Sequence, residues 1–518
     1  MGRCASGCKG LEPGICEKSP ACSYTNGEKR QFCRLRRTYK MSKTNCKVSK
    51  KTSKQQKVLA IQQFMKRTTH KRRAEFLKAI CSDSGFCYAL GKNRSKIFKF
   101  FNGFVNFEFV KPPIIAIGNP SANGFVKSIQ YERHGYLANA VLKSSTKSSS
   151  DNLAYEFLVG KFLNNMGNRF PCFVQTYGLY YYKTKSAWEH ARDTKRITTN
   201  IMKDSLMLHT SLDTYNDMQD VIDVDTCSLS KFAAVLIQHF PNVTTFGDYA
   251  EKVSKYDSDW CNFTLKELPY ILYQIYMPLA AMSKTFTHYD LHHDNVLLYE
   301  PVPGKYIQYH YHNGKDTVTF KSRFMAKIID YGRSFYKDRE IPGVSSTDVL
   351  SRVCALDDCN EYDEDCGNQS GYRYLTNTLK PYTHYMSSSE CNPSADLRFL
   401  YLVKKLFKEY GANAGFGDCG PPDLEREAFD SIEKIMGLVS YGVGLQPGQT
   451  KYGTKPMRQT GLPDDINNVN DAEELLRDAL IGNMALRVFN DSHHDNMEKV
   501  CDIHVFSDGT SNMKIRTN

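Results

Sequence analysis

Residues 288 to 300 read HYDLHHDNVLLYE, which sets His288, His292, His293, Asp290, Asp294 and Asn295 directly ahead of an apolar run. Two chemistries compete for these residues. Histidine is the commonest metal ligand, and His288 and His292 stand four apart, the spacing that lets two imidazoles reach one ion from a single helix. That geometry needs regular helix on both sides, whereas NVLLY immediately after reads as a buried strand. The histidines therefore belong to a loop, where ordinary solvated side chains are the plain alternative to a metal centre. The other residues suggest a different use. With Asp290 and Asn295 five apart on one loop, a carboxylate can take the proton of an attacking hydroxyl while a neutral amide oxygen reaches a magnesium ion.

The elements on either side fit that second use. Upstream, LKELPYILYQIYMPLAAMSKTFT (265–287) has apolar residues at helical spacing and the length of a buried helix. The order is helix, polar loop, short strand. Downstream, AKIIDYGRSF places Asp330, Tyr331 and Gly332 after another apolar strand, where a second carboxylate would hold Mg²⁺ against nucleotide phosphates. H-x-D-L-x-x-x-N followed by D-Y-G, each beside its strand, resembles the protein-kinase-like fold.

The resemblance implies further parts on the N-terminal side, and segments similar to each occur in order. AIGNPSANGFVKSI carries Gly118 and Gly124 between two strand-like runs, similar to a kinase glycine-rich loop although one residue longer and without its middle glycine; a plain hairpin is the alternative. YLANAVLKSS resembles the third strand, with Lys143 in the place of the lysine that grips the α- and β-phosphates of ATP. Lys147 follows closely, so a surface lysine is the competing reading. DNLAYEFLVGKFLNNM reads as an amphipathic helix, and the resemblance makes Glu156 the ion-pair partner of Lys143. CFVQTYGLYYYK and KFAAVLIQHF look like the fourth and fifth strands, separated by a polar insert from about Thr184 to Asp225. The adenine-binding hinge then falls at Gln238, His239 and Phe240. TTFGDYAEKV would open the C-terminal lobe, and NPSADLRFLYLVKKLF resembles its long central helix, with Asp396 as a structural aspartate. The resemblance spans about residues 113 to 480.

Departures from the usual pattern bear on the substrate. His292 stands where most protein kinases have lysine, as in small-molecule phosphotransferases of the same fold. Tyr289 replaces the arginine that reads activation-loop phosphate. No A-P-E run follows D-Y-G, and Ser334 to Pro393 is long, polar and cysteine-bearing. YIQYHYHNGKDTVTFKSRF alternates about Asn313-Gly314 and reads as a hairpin with a tight turn. As a set, these features are similar to the divergent serine/threonine kinases of nucleocytoplasmic large DNA viruses, mimiviruses among them, and imply a host-cytoplasmic or virion setting.

Charge and cysteine single out the N-terminal region. Net charge is +12 over 518 residues, yet residues 1 to 73 alone hold 20 Lys+Arg against 3 Asp+Glu, so the remainder is slightly acidic. Such an arm binds anions, nucleic acid or acidic lipid, or is simply solvated. Cys4, Cys8, Cys16, Cys22, Cys33 and Cys46 lie in a stretch too poor in apolar residues to fold on burial alone, so a staple is expected. Uneven spacing favours disulfides over structural zinc, with free thiols as the third choice; the total of 17 cysteines is odd. MGRCAS matches an N-myristoylation pattern at Gly2 and Ser6, with Cys4 open to a second acyl chain. No run reaches the roughly 18 apolar residues of a spanning helix.

The expectation is therefore an α+β, bilobal protein-kinase-like fold, with a β-rich N-lobe (113–240) and a mainly helical C-lobe (241–518). A cysteine-rich basic module (1–50) and a basic linker and helix (51–112) precede it. The expected activity is ATP- and Mg²⁺-dependent phosphoryl transfer to protein serine or threonine hydroxyls. Asp290 would be the base, Asn295 and Asp330 the metal ligands, and Lys143 with Glu156 the phosphate grip. The alternatives are a small-molecule kinase of the same fold and an inactive pseudokinase that docks nucleic acid or a virion component.

Overall fold

The computed structural model describes residues 94–121, 124–145, 153–167, 170–211, 232–314, 316–350, 388–411, 420–439, 466–507 and 511–515. It also describes two short strand pairs, Cys22–Gly27 with Arg30–Leu35 and Ile80–Cys81 with Cys87–Tyr88. The chain divides into two compact units, Met1–Thr69 and His70–Asn518. In the first unit the pair holding Cys22 and Cys33 is the described part. Gly2, Cys4, Cys8, Cys16 and Cys46, on which the lipid and staple readings rest, lie outside the described residues, as does Lys147.

The second unit is mixed α+β and, after a helix at Arg94–Phe100, contains a curled antiparallel sheet. Its central strands are β1 (Val110–Ser121), β2 (Gly124–Arg133), β3 (Tyr136–Ser144), β4 (Thr176–Tyr182) and β5 (Ala233–His239). Their spatial order is β1-β2-β3-β5-β4, and two strands from the polar insert extend the edges: Arg196–Ile197 beside β1 and Leu206–Ser211 beside β4. Period-two patterning explains β3. Tyr136, Ala140, Leu142 and Ser144 are buried, while Val141 and Lys143 face the other way and stay partly open.

Helix α1 (Leu153–Gly167) packs against β4 and β5. Its sequence reads as amphipathic, but Leu153 to Asn164 are buried without interruption. The cause is a second cover: Tyr336, on the short strand Phe335–Tyr336, packs its ring at a tilt against Tyr155 and Phe162, centroids 6.1 and 5.3 Å away, so the side turned from the sheet is dry as well.

The remainder is largely helical. Helices α2 (Phe246–Val253), α3 (Asp257–Lys266) and α4 (Leu268–Ala281) come first. Thr245 caps α2 by accepting from Asp248 N at 3.0 Å, and Pro269 occupies the opening turn of α4, where a missing N–H goes unnoticed. Tyr270, Tyr273 and Tyr276 form a buried stripe on α4. Each hydroxyl finds an acceptor: Leu486 O at 2.8 Å, Glu473 Oε1 at 3.1 Å and Asp396 O at 3.1 Å. Burying each ring stabilises by roughly 1.5–3 kcal/mol, and the satisfied hydroxyls keep that gain from being lost to desolvation.

After α4 comes β6 (Val296–Tyr299), paired with Val243–Thr245 and, across from it, with β9 (Met325–Ile328). Between them the expected hairpin forms from β7 (Tyr306–Asn313) and β8 (Asp316–Ser322), with Gly314 at φ +64 in its turn. Helices α5 (Leu397–Gly411), α6 (Pro422–Leu438), α7 (Val469–Gly482) and α8 (Met484–His494) follow. The chain then returns as β10 (Lys499–Phe506) and β11 (Ser511–Ile515), making a four-stranded sheet in the order β8-β7-β10-β11. Among the described residues, no helix is long and apolar enough to cross a membrane.

Candidate active site

Lys143 has two backbone neighbours across the sheet, Val126 on β2 and Val235 on β5, and directly opposed residues share a face. Val141 lies two back along β3, opposite Ile237. One face of the sheet thus presents Lys143 among Val126, Val141, Val235 and Ile237. Val126 and Val141 are only half-buried, as are Leu297 after the 288–295 loop and Ile329 before Asp330.

The Lys143 ammonium joins two carboxylates that are far apart in sequence. Nζ donates to Glu156 Oε2 at 2.8 Å and to Asp330 Oδ1 at 2.7 Å. The two acids differ in setting. Glu156 projects from the first turn of α1 with its side chain 3% exposed, whereas Asp330 is 42% exposed. Burial drives the Glu156 carboxyl upward and Lys143 pulls it back only in part. For Asp330, burial would also raise the pKa, but the ammonium outweighs it and the carboxyl is held below the usual range. Between two anions, Lys143 keeps its proton more firmly than a free lysine, despite the opposing effect of burial.

The 288–295 loop is held by its own hydrogen bonds. Asp396, just ahead of α5, accepts His288 N at 2.8 Å and Tyr289 N at 2.9 Å, and burial pushes its carboxyl up to about 7 against those two bonds. Tyr289 sits at φ +66, and its hydroxyl donates to Glu390 O at 2.7 Å. The His288 ring is fully buried, with Nε2 2.9 Å from Ile329 O, and burial lowers its pKa. It is turned inward toward the Asp330 strand, away from any shared metal with its neighbours. His292, His293 and Asp294 do converge, but on the open side of the loop.

Asp290 and Asn295 meet as the spacing requires. Asn295 Nδ2 donates to Asp290 O at 2.9 Å, which leaves the amide Oδ1 as the group able to meet a cation. Ile329 N donates to Asn295 O at 3.0 Å, placing Asp330 directly after the residue paired with Asn295. Asp330 itself is at φ +67. A neutral amide oxygen and an ionised carboxylate are hard oxygen donors, and they fit magnesium. Asp290 Oδ1 also accepts from Arg398 Nη1 at 2.6 Å.

The remaining candidates lie around this centre. Gly124, at φ +152, closes the β1–β2 turn opposite Ser121, so close to β3 that a Cβ would stand 2.5 Å from Ser144 O. Gly118, at φ +65, faces open space. Gln238 and His239 finish β5, and Phe240 follows. Gln238 N donates to Gln175 O at 2.7 Å, and Phe240 packs on Tyr299 with ring centroids 4.5 Å apart. Strand register places these residues relative to Lys143, with Ile237 opposite Val141 and Val235 opposite Lys143.

Sequence reasoning missed two groups here. Arg398 stands two residues after Asp396, in the first turn of α5, and nothing local marks it as a partner of Asp290. The apolar set Val126, Val141, Leu297 and Ile329 was within reach of strand alternation, since three of its members lie two residues or fewer from a polar candidate. Comparison with known protein families and with curated proteins finds no match to this chain.

Proposed function

We propose that the protein transfers the γ-phosphoryl group of ATP, with Mg²⁺, to serine or threonine hydroxyls of other proteins. The observation that carries this reading is one ammonium, Lys143, shared by Glu156 and the half-open Asp330 beside a loop that presents Asp290 and Asn295. Phosphoryl transfer rests on positioning and charge neutralisation, so these few groups suffice. Glu156 fixes Lys143, and Lys143 meets the negative charge of the nucleotide phosphates. Asp290 orients the acceptor hydroxyl and takes its proton. Asn295 and Asp330 would hold the magnesium, which supplies further neutralisation of phosphate charge. Val126, Val141, Leu297 and Ile329 offer apolar walls for a planar base, next to the Gln238–Phe240 hinge. The strand order β1-β2-β3-β5-β4, with a buried helix carrying Glu156, supports a bilobal protein-kinase-like architecture.

The test uses the purified full chain with γ-labelled ATP, Mg²⁺ and a mixture of protein substrates. Wild type is expected to label protein, and Asp290→Asn and Asp330→Asn to lose at least about a hundredfold in rate while keeping wild-type circular dichroism. Folded variants that label at the wild-type rate would remove the assignment. Label transferred only to small hydroxyl compounds would move it to the small-molecule class suggested by His292, and nucleotide binding without transfer to a binding role.

A further inference from the structure

A second cluster lies away from Lys143, where three segments meet. Glu267 joins α3 to α4, Ser322 ends β8 with Arg323 next to it in the turn to β9, and His493 and His494 end α8. The Glu267 side chain is 1% exposed and His494 is fully buried. Ser322 Oγ donates to Glu267 Oε2 at 2.7 Å, and Arg323 Nε approaches Oε1 at 3.3 Å. A carboxylate has about four acceptor positions, so these two donors leave Oε1 a free lone pair. Both histidines turn Nε2 toward that oxygen, each at 3.5 Å, and neither Nε2 makes a hydrogen bond.

The tautomer of His494 sharpens the point. Its Nδ1 lies 2.7 Å from Asn490 O, and a carbonyl can only accept, so Nδ1 carries the proton. Nε2 of a neutral ring then turns its lone pair on a buried carboxylate oxygen, an arrangement relieved either by a proton on Nε2 or by a metal ion held between the two. A metal-bound histidine commonly donates its other ring N–H to a backbone carbonyl, as here. The spacing agrees: at zinc–ligand lengths of 2.0–2.1 Å, neighbouring donors of a tetrahedron stand about 3.3–3.4 Å apart. All three donor atoms lie within 4.8 Å of one another, and the two imidazoles cross at 85°.

We propose that Glu267, His493 and His494 bind a divalent transition metal, zinc in the first instance, which ties α8 to the α3–α4 junction. Two imidazoles and one carboxylate suit zinc, with a fourth position left for water. The ion sits against the Arg323 guanidinium. Its binding is therefore weaker than that of an uncompensated site, and it supports the fold rather than a reaction.

The experiment measures zinc in the full chain after exhaustive dialysis against trace zinc, for wild type, Glu267→Gln and His493→Ala. Because the N-terminal cysteines can also take zinc, the readout is the difference: each variant should hold one equivalent less than wild type and lose the zinc-dependent part of its Tm. Equal zinc content in wild type and both folded variants overturns the site. Cobalt substitution of wild type covers the case in which the variants fail to fold. A visible ligand-field band in excess of any thiolate charge-transfer signal is expected, and a spectrum with thiolate features only, or with no band, overturns the proposal.

Discussion

Replacing Lys143 by methionine keeps most of the side-chain stem and removes the ammonium, and its effect on stability should depend on pH in a way that identifies the partner. Glu156 is 3% exposed and, among the described residues, pairs with Lys143 as its one cation, whereas Asp330 is 42% exposed and can turn to water, so its share is at most about 1 kcal/mol. Without Lys143, burial and the Asp330 charge both push the Glu156 carboxyl upward and nothing opposes them. The folded variant then holds the Glu156 proton to higher pH than the unfolded chain, which ionises it near pH 4.3. A group whose folded pKa is raised costs nothing below its unfolded pKa and progressively more as pH rises, so long as it stays protonated in the fold. At about 1.4 kcal/mol for each pH unit over which the folded carboxyl stays protonated, the deficit from this source grows from about 1 kcal/mol at pH 5 to a ceiling of about 4 kcal/mol at pH 7. Urea unfolding of wild type, Lys143→Met and Lys143→Met/Glu156→Gln at both pH values measures it. The single variant should lose ground against wild type as pH rises, and the double variant should not. A pH-independent deficit, or a slope that survives Glu156→Gln, would show that Glu156 is not the buried partner of Lys143.

Other outcomes follow from the same geometry. Gly124→Ala should destabilise by more than about 1 kcal/mol, since its Cβ would stand 2.5 Å from Ser144 O, while Gly118→Ala, with open space around it, should lose only the roughly 1 kcal/mol of a left-handed backbone; equal losses in thermal unfolding would show that the β1–β2 turn is not seated on β3. Asp396→Ala leaves the His288 and Tyr289 amides without acceptors, at about 1–3 kcal/mol each, so urea midpoints should fall accordingly, and a loss under about 1 kcal/mol would mean that another group takes them over. Arg398→Ala should lower kcat of phosphoryl transfer by roughly tenfold with KM for ATP little changed, because the arginine orients Asp290 and not the nucleotide; steady-state kinetics with a rise in KM and unchanged kcat would contradict that role.

What could be read from the sequence was whatever is local. Alternation in YLANAVLKSS places Lys143 on a strand face, helical spacing in 265–287 gives α4, and Asn313-Gly314 marks the β7–β8 hairpin. Each of these depends on residues within one element, where period and turn chemistry act directly. The meeting of Lys143 with Asp330 spans 187 residues, and no periodicity contains it; the resemblance implied a site role for each but paired Lys143 with Glu156 alone. Arg398 was hidden because a charged residue near a helix start has many uses and its partner lies 108 residues away. The α1 face turned from the sheet looked solvent-facing because Tyr336 covers it from a distant strand. KVCDIHVF shows strict alternation, with Cys501, Ile503 and Val505 buried, so β10 was within reach of the pattern. Its parallel pairing with β7 was not, since parallel partners require a crossover whose length the sequence leaves open.

The two left-handed residues at the site, Tyr289 and Asp330, connect these long-range contacts to the chemistry. Each such backbone is unfavourable for a residue with a Cβ and persists only where neighbours over-determine it. Tyr289 has its amide on Asp396 and its hydroxyl on Glu390 O. Asp330 follows Ile329, whose amide is bound by Asn295 O and whose carbonyl is bound by His288 Nε2, and its own carboxylate is bound by Lys143. The two turns therefore share supports: His288 and Asn295 belong to one loop and hold the residue before Asp330 in the other. Shifting either loop would break bonds to both, so Asp290, Asn295 and Asp330 are kept in register as a unit. That rigidity is what the proposed phosphoryl transfer would require, since an ångström of misplacement between an attacking hydroxyl and a phosphoryl group can lower a rate about a hundredfold.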